Sequence, residues 1–381
     1  MRSGRFVKQV EGYRAFLPAP LPPSNPEIQF DRELIGLLDQ AGQNIARLDG
    51  VASVLPDPNL FVAMYVRQEA VLSSQIEGTQ STLEDVLQFE IDANGDDRPK
   101  DVEEVVNYVR AMNYGLQRMK ELPLSKRLIR EIHAELLSGV RGSNKDPGEF
   151  RRTQNWIGPP GCNLSTATFV PPPLVEMNAS LDNLEQFLHN ESELSLILCG
   201  LVHAQFETIH PFLDGNGRVG RLLITFLLCQ RRVLERPLLY LSHFLKVNRM
   251  EYYDRLTAIR IAGDWEGWLK FFLRGVAEVS LEATETARKI LSLRERDRNE
   301  LHKHVTNPAA FTLLDNLFAQ PICTTKMVAT WLGCSYSLAN KLLSQFQNAK
   351  LLREMTGNNR NRRYSYDPYL SLFHSAENLA I

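Results

Sequence analysis

The chain is 381 residues long, enough for one large core and a smaller one, so two domains are expected. A formal net charge of −2 with mixed signs argues against a globally basic nucleic-acid binder, and five scattered cysteines, none in a C-x-x-C pair, argue against a disulfide framework and for a reducing, cytoplasmic setting. The opening MRSGRFVKQV has no signal-peptide core, and the longest apolar run, LLITFLLC from Leu222, falls far short of a membrane span.

Prolines through AFLPAPLPPSNPEIQF (15–30) forbid a helix and predict an extended arm. Apolar residues then recur at three- and four-residue spacing over 31–48 and 59–76, the period of helices burying one face, and Gly78 stops the second. Ser81 stands three residues before Glu84, the capping-box spacing that opens a new helix. Residues 101–119 and 124–140 predict two more amphipathic helices. Between Pro147 and Pro173, GEFRRTQNWIGPPGCNLSTATFVPPP is rich in Gly, Pro, Asn and Thr and reads as a β-hairpin flap. Helices resume at Leu174. Two apolar ones, 194–209 and 218–232, flank HPFLDGNGRVGR (210–221), and their Cys199 and Cys229 read as core packing. The charged run 285–305 predicts a solvated connector helix, and a small second domain begins near Asn307.

The stretch 210–221 is too polar to be explained by packing. Gly215 and Gly217 let successive amides point into one concavity, and the helix that follows adds free N–H groups and its positive dipole end, which together make an anion nest. Arg218 and Arg221, three apart, share a face of that helix and lean back toward the nest. Asp214 would oppose a bare anion but suits a magnesium ion carried by a nucleoside triphosphate. His210, with an ordinary pKa near neutrality, suits proton removal from an attacking hydroxyl. The set describes nucleotidyl or phosphoryl transfer. His203, seven residues upstream, reads instead as a hydrogen-bonded core histidine.

HPFLDGNGRVGR resembles the Fic motif, H-x-F-x-[DE]-G-N-G-R-x-x-R, at every specified position. The resemblance implies a mainly α, Fic-type helical bundle with a β-hairpin flap, and transfer of AMP from ATP to a Ser, Thr or Tyr hydroxyl of a protein, with the chain itself among the conceivable targets. It implies His210 as general base, Phe212 as anchor, Asp214 as the Mg2+ ligand, and Gly215, Asn216 and Gly217 as the phosphate cradle. Arg218 would grip phosphates and Arg221 the γ-phosphate, with Val219 and Gly220 inside the nucleotide-binding stretch. Asn155, Trp156, Ile157 and Gly158 of the flap would lie beside nucleotide and target. Asn248 in VNRMEYYDRL would line the nucleotide, whereas Tyr253 reads as core.

SSQIEG resembles the family's inhibitory motif [ST]-x-x-x-E-[GN], with Ser73, Glu77 and Gly78 in place. The resemblance implies that Glu77 pairs with Arg221 and blocks productive ATP binding. It also permits removal of AMP from a modified target.

From Thr324 the chain reads as helix, turn at Gly333, second helix near Ser335, and a two-stranded wing with GNN (357–359) at its tip, resembling a winged helix-turn-helix. Lys341, Lys350, Arg353, Arg360, Arg362 and Arg363 give it local basic character. Because SYSLANKLLSQF offers no arginine to read guanine, a non-specific or protein-docking role, including a homodimer, is favoured over specific DNA contact. The expected spans are an arm and first helix (1–60), an inhibitory region (61–100), a catalytic core (101–284, flap 148–173), a connector (285–304) and a winged helix (305–381). Rival readings are a nucleotide-sensing DNA-binding regulator and a phosphotransferase on the same fold.

Overall fold

The computed structural model describes residues 2–53, 58–91, 101–305, 307–358 and 360–374. In chain order the elements are β1 (Gly4–Lys8), β2 (Arg14–Pro18), α1 (Arg32–Ser53), α2 (Pro58–Ile76), α3 (Leu83–Ile91), α4 (Val102–Arg118), α5 (Lys126–Leu136), α6 (Leu174–Leu188), α7 (Ser195–Ile209), α8 (Asn216–Gln230), α9 (Ser242–Val247), α10 (Arg249–Ala262), α11 (Trp265–His304), α12 (Ala309–Ala319), β3 (Ile322–Thr324), α13 (Thr325–Leu332), α14 (Tyr336–Asn348), β4 (Arg353–Glu354), β5 (Arg363–Ser365) and α15 (Asp367–His374). The fold is mainly α, as the periodicity predicts, and no described helix is long and apolar enough to cross a membrane.

α7 reads apolar almost throughout because every residue from Leu196 to Ile209 is buried, the signature of a helix surrounded on all sides. It packs against α8, and the loop between them is anchored by the buried Pro211 and Phe212. α1 lies along the 40-residue α11. The expected connector (285–304) is therefore the second half of α11 and is not fully solvated: Ala287, Ile290, Leu293 and Leu301 are buried. The expected boundary after residue 60 likewise falls inside α2, while 92–100 lie outside the described residues.

Three local expectations shift. The box that opens α3 is Thr82 with Asp85, one residue on: Thr82 N–H donates to Asp85 Oδ2 (2.8 Å) and Asp85 N–H to Thr82 Oγ1 (3.2 Å). The arm begins as an antiparallel hairpin, β1 with β2, whose Phe16 N–H donates to Val170 O (2.9 Å) beside the flap. The flap itself is pinned by one antiparallel bridge, Ile157 to Phe169, because its prolines and glycines remove the donors and the regularity a longer ladder needs.

At the C-terminus β3, β5 and β4 form one antiparallel sheet in that order. Gly333 ends α13 at φ +57°, and Ser335 Oγ accepts from Leu338 N (3.3 Å) to start α14. Asn359, in the expected wing tip, lies outside the described residues. The unit is docked on α2. Phe318 meets Phe61 (5.5 Å between ring centroids), Phe373 meets Tyr65 (5.7 Å), and Arg67 donates to Ala319 O and Gln320 Oε1 (both 3.2 Å).

Candidate active site

α7 ends at His210, whose backbone is left-handed (φ 49°, ψ 60°), an uncommon position for a residue with a Cβ. Two side chains hold it: Arg151 Nε (3.1 Å) and Asn155 Nδ2 (3.0 Å) both donate to the His210 carbonyl. Asn155 Nδ2 also reaches Phe212 O (2.9 Å). The other Arg151 donors go to Thr153 O and Pro172 O, so one buried guanidinium ties the loop to both limbs of the flap. Phe212 is buried and stacks on His133 at 3.7 Å. His133 Nδ1 accepts from Gly148 N (2.9 Å), which leaves Nε2 protonated to donate to Asp214 O (3.0 Å). Burial pushes His133 down to about 4, so this brace is neutral.

Gly215 (φ +76°) turns the chain into α8, which begins at Asn216, two residues before the expected start. The Asn216 side chain is committed to the loop: Oδ1 accepts from Phe212 N and Nδ2 donates to Phe212 O, each at 2.8 Å. Its part in an anion nest is thus confined to its backbone. A Cβ on Gly217 would lie 2.3 Å from Glu77 Oε1, so the Glu77 carboxylate rests directly on the first turn of α8, where the helix dipole favours an anion. Arg221 is gripped by the inhibitory segment: Nη2 donates to Glu77 Oε1 (2.6 Å) and Ser73 O (3.0 Å), and Nε to Ser73 Oγ (2.8 Å). Arg218 pairs with Glu104 of α4 (3.1 Å) and more loosely with Asp214 (3.6 Å). Gly78, at φ +99°, lets the chain leave α2 directly after Glu77.

Burial works to raise the Glu77 carboxyl, but the Arg221 charge and hydrogen bond, with Arg218 and His210 nearby, outweigh it and hold the pKa below the ordinary value. His210 is pushed down to about 3, first by burial and then by the Arg260 and Arg151 guanidiniums, so it is a neutral base. Its Nδ1 is buried with no hydrogen-bond partner among the described residues. Glu207, one turn earlier on α7, is raised to about 7 by burial, and its Oε1 is packed 2.5 Å from where a Cβ on Gly220 would stand. Arg260 donates to Glu207 O and Thr208 Oγ1 (both 3.3 Å) and stacks over Phe169 of the flap at 3.9 Å.

The structure thus brings Ser73, Glu77, Asn155, His210, Asp214, Gly215, Gly217, Arg218 and Arg221 to one place. Others sit differently. Val219 faces the core with its amide spent on Gly215 O (3.0 Å), and Gly220 O accepts from His203 Nδ1 (2.9 Å), so both lie on the inner side of α8. Trp156 turns its indole N–H to Cys162 O within the flap, Ile157 forms the bridge, and Gly158 abuts Cys162. Asn248 caps the end of α9, donating to Phe244 O (3.0 Å). Tyr253 is not core: it is 42 % exposed with Arg249 over its ring, while its neighbour Tyr252 is the buried one and bonds His203 Nε2 (2.8 Å). His203 is the hydrogen-bonded core histidine expected, joining α7, α8 and α10.

Four residues the motif does not name complete the site: Glu104, His133, Arg151 and Glu207. For Glu104 and His133 the sequence signal is a titratable group on the apolar face of an amphipathic helix, among Val102, Val105 and Tyr108 and beside Ile132 and Leu136; Glu207 is a lone acid in an otherwise apolar helix, and Arg151, in the flap, has no such signal. Among the described residues no three His, Cys, Asp or Glu gather into a cation cage. Asp214 alone, with its side chain 36 % exposed, fits a magnesium ion that arrives on phosphates and needs one or two protein carboxylates.

Residues 35–117 match the Fic/DOC family N-terminal region and residues 123–228 the Fic/DOC family. Protein adenylyltransferase Fic of Drosophila grimshawi is 31 % identical over 182 residues, which are 46 % of this chain and 32 % of that protein. A probable protein adenylyltransferase of Aquifex aeolicus (strain VF5) is 30 % identical over 181 residues, 46 % of this chain and 51 % of the relative. The chain therefore spans about a third to a half of the length of these curated relatives. A crystal structure of a Fic family protein from Desulfovibrio desulfuricans G20 has the same fold, with a TM-score of 0.58, 20 % identity and coverage of 89 % of this chain and 97 % of that one. Fic-1 (residues 134–508) from C. elegans gives 0.51 at 20 % identity, covering 68 % and 74 %.

Proposed function

From the premise that this chain carries the N-terminal and Fic parts of a Fic/DOC protein, we propose that it is a protein adenylyltransferase held in check by its own helix α2. The observation that carries this reading is the meeting of three groups in one site: a neutral imidazole, a glycine-led helix start, and a buried arginine already taken by Glu77. The target hydroxyl oxygen attacks the α-phosphorus of ATP. A new O–P bond forms, the bond to the β-phosphate oxygen breaks, pyrophosphate leaves, and His210 takes the hydroxyl proton. Backbone amides of the first α8 turn, with Arg218, receive the phosphates; Arg221 meets the γ-phosphate only once Glu77 has moved aside. Asp214 is the residue to hold Mg2+, which would neutralise phosphate charge when bound. Arg151 and Asn155 fix His210 and the flap against each other, so the base and the target-aligning edge move as one.

A charge-assisted bond such as Glu77 to Arg221 contributes about 1.5 to 3 kcal/mol, enough to suppress turnover by roughly one to two decades. Incubation with α-labelled ATP and mass spectrometry of the modified protein test the reading together. AMP on protein, raised in Glu77→Gly and absent in His210→Ala, supports it. Equal, low labelling by wild type and Glu77→Gly rejects the inhibition, and phosphate in place of AMP rejects the transferase chemistry in favour of phosphoryl transfer.

A further inference from the structure

Helix α2 buries a carboxylate of its own besides the one that follows it. Glu69, Ser73 and Glu77 are four apart, so they share the side that faces Arg221. Glu69 is 3 % exposed, and its carboxylate takes three donors: Tyr108 OH (3.2 Å) and Ser242 Oγ (2.5 Å) at Oε1, and the Ser242 amide (3.1 Å) at Oε2. A group that only accepts suits the ionised form. Burial raises the Glu69 carboxyl to about 7, while the Ser242 bonds, the Arg221 charge and Tyr108 work in the opposite sense. Among the described residues Glu69 makes no direct ion pair with Arg221, and the gap they share, walled by Ile224, Leu239 and Leu245, is too small to hold a water.

The two are joined through hydroxyls instead. Arg221 Nε donates to Ser73 Oγ (2.8 Å), the Ser73 hydroxyl bonds the Tyr108 hydroxyl, and Tyr108 OH donates on to Glu69. Every proton in this chain points from the cation to the buried carboxylate, an arrangement in which the bonds polarise one another. Ser73 O takes a further proton from Arg221 Nη2 (3.0 Å), so α2 holds one edge of the guanidinium. The other edge faces α8: Nη1 lies 3.0 Å from where a Cβ on Gly217 would stand, and Nη2 meets the Glu77 carboxylate there (2.6 Å). Ser73 lies inside α2 and Glu77 beyond its last residue, so the Ser73 contacts survive a departure of Glu77.

We propose that Glu69 is a positioning residue for the transfer: acting through Tyr108 and Ser73, it keeps the Arg221 guanidinium turned so that Nη1 and the Nη2 proton released by Glu77 face the γ-phosphate; this rests on the reading in which Arg221 binds that phosphate. Two carboxylates of one segment thus use one arginine in opposite ways. Glu77 competes with ATP for it, and Glu69 readies it for ATP. A network of purely structural use would tie α2 to α4 and α9 equally well, but it would not distinguish a nucleotide that has a γ-phosphate from one that lacks it.

The test titrates the full chain carrying Glu77→Gly by calorimetry, in Mg2+ at a pH of about 8 where Glu69 is ionised, with α,β-methylene-ATP and α,β-methylene-ADP. Neither can be split at the α–β bridge, and they differ only in the γ-phosphate. The ATP analogue should bind about ten- to hundredfold tighter, the worth of one charge-assisted contact. Adding Tyr108→Phe cuts the relay and should bring the two affinities to within about threefold, with the ADP analogue bound as before, which also shows the site folded. Glu69→Gln should act in the same sense, because an amide cannot accept all three donors without turning an N–H toward one of them. A preference retained in both variants overturns the proposal. So does an equal loss for both analogues, or a preference that rises in Glu69→Gln, as it would if Glu69 only neutralised Arg221. No preference in Glu77→Gly itself rejects the assignment of Arg221 to the γ-phosphate, and the proposal with it.

Discussion

Arg218 and Arg221 have side chains 1 % and 2 % exposed, and each is matched to a carboxylate from a different part of the chain, Glu104 of α4 and Glu77 directly after α2. Lys326, Lys341 and Arg360 at the other end of the chain stand in solvent with no such partner among the described residues. The same kind of charge therefore behaves in two ways. A buried guanidinium is costly unless paired, so its neighbours are fixed and a change of partner is a switch. A solvated cation costs little, changes stability little, and acts only by summing with others toward a polyanion.

The largest expected break in that contrast lies at the base beside the buried arginines. His210→Ala should lower AMP labelling by about two to four decades with the fold intact by circular dichroism, whereas Lys341→Ala should leave labelling untouched. Next is stability. Glu104→Ala strands Arg218 in the interior with only the looser Asp214 pairing, and a loss of about 3 to 5 kcal/mol is expected in urea unfolding. Lys341→Ala should stay within about 0.5 kcal/mol. An equal effect of the two substitutions would erase the distinction.

Third, Glu77→Gly should raise labelling by roughly one to two decades, because it frees Arg221 without removing a phosphate contact. The smallest effect is on pH. With His210 pushed to about 3 by burial, Arg260 and Arg151, the base stays neutral as pH falls through the ordinary histidine value of 6.5. In the Glu77→Gly background the labelling rate should therefore show no acid inflection near 6.5. Removing the Arg260 charge as Arg260→Met makes protonation easier, and the inflection should move up by about one unit or more. An inflection at 6.5 with Arg260 in place would contradict a desolvated, cation-flanked imidazole.

Much of the site is written in short patterns. HPFLDGNGRVGR and SSQIEG each carry their groups within a dozen residues, and a loop between two buried helices is legible from apolar periodicity. What periodicity could not give is the use of a residue by a distant partner. Asn216 is a phosphate ligand by motif, yet its side chain is spent closing the loop on Phe212. Tyr253 fits a core spacing, and it is Tyr252 that turns inward because His203 supplies its hydrogen bond. The capping box stands one residue on because Thr82 and Asp85 serve each other's amides, while the Ser81 amide is taken by the distant Asp101 Oδ2 (3.2 Å). The run 285–305 looks solvated by its charges, yet one stripe of it packs on the C-terminal unit, with Tyr366 OH donating to the buried Asp297.

The sequence by itself determined the chemistry on offer: an imidazole, a glycine-led helix start, two arginines three apart, and a glutamate at the end of another helix. Those are local facts, set by residue type and by turns that only certain residues permit. The tertiary structure alone decided which carboxylate meets which arginine and how neutral His210 is. Both depend on burial and on approach across more than a hundred residues of chain, 144 between Glu77 and Arg221, where local spacing carries no information.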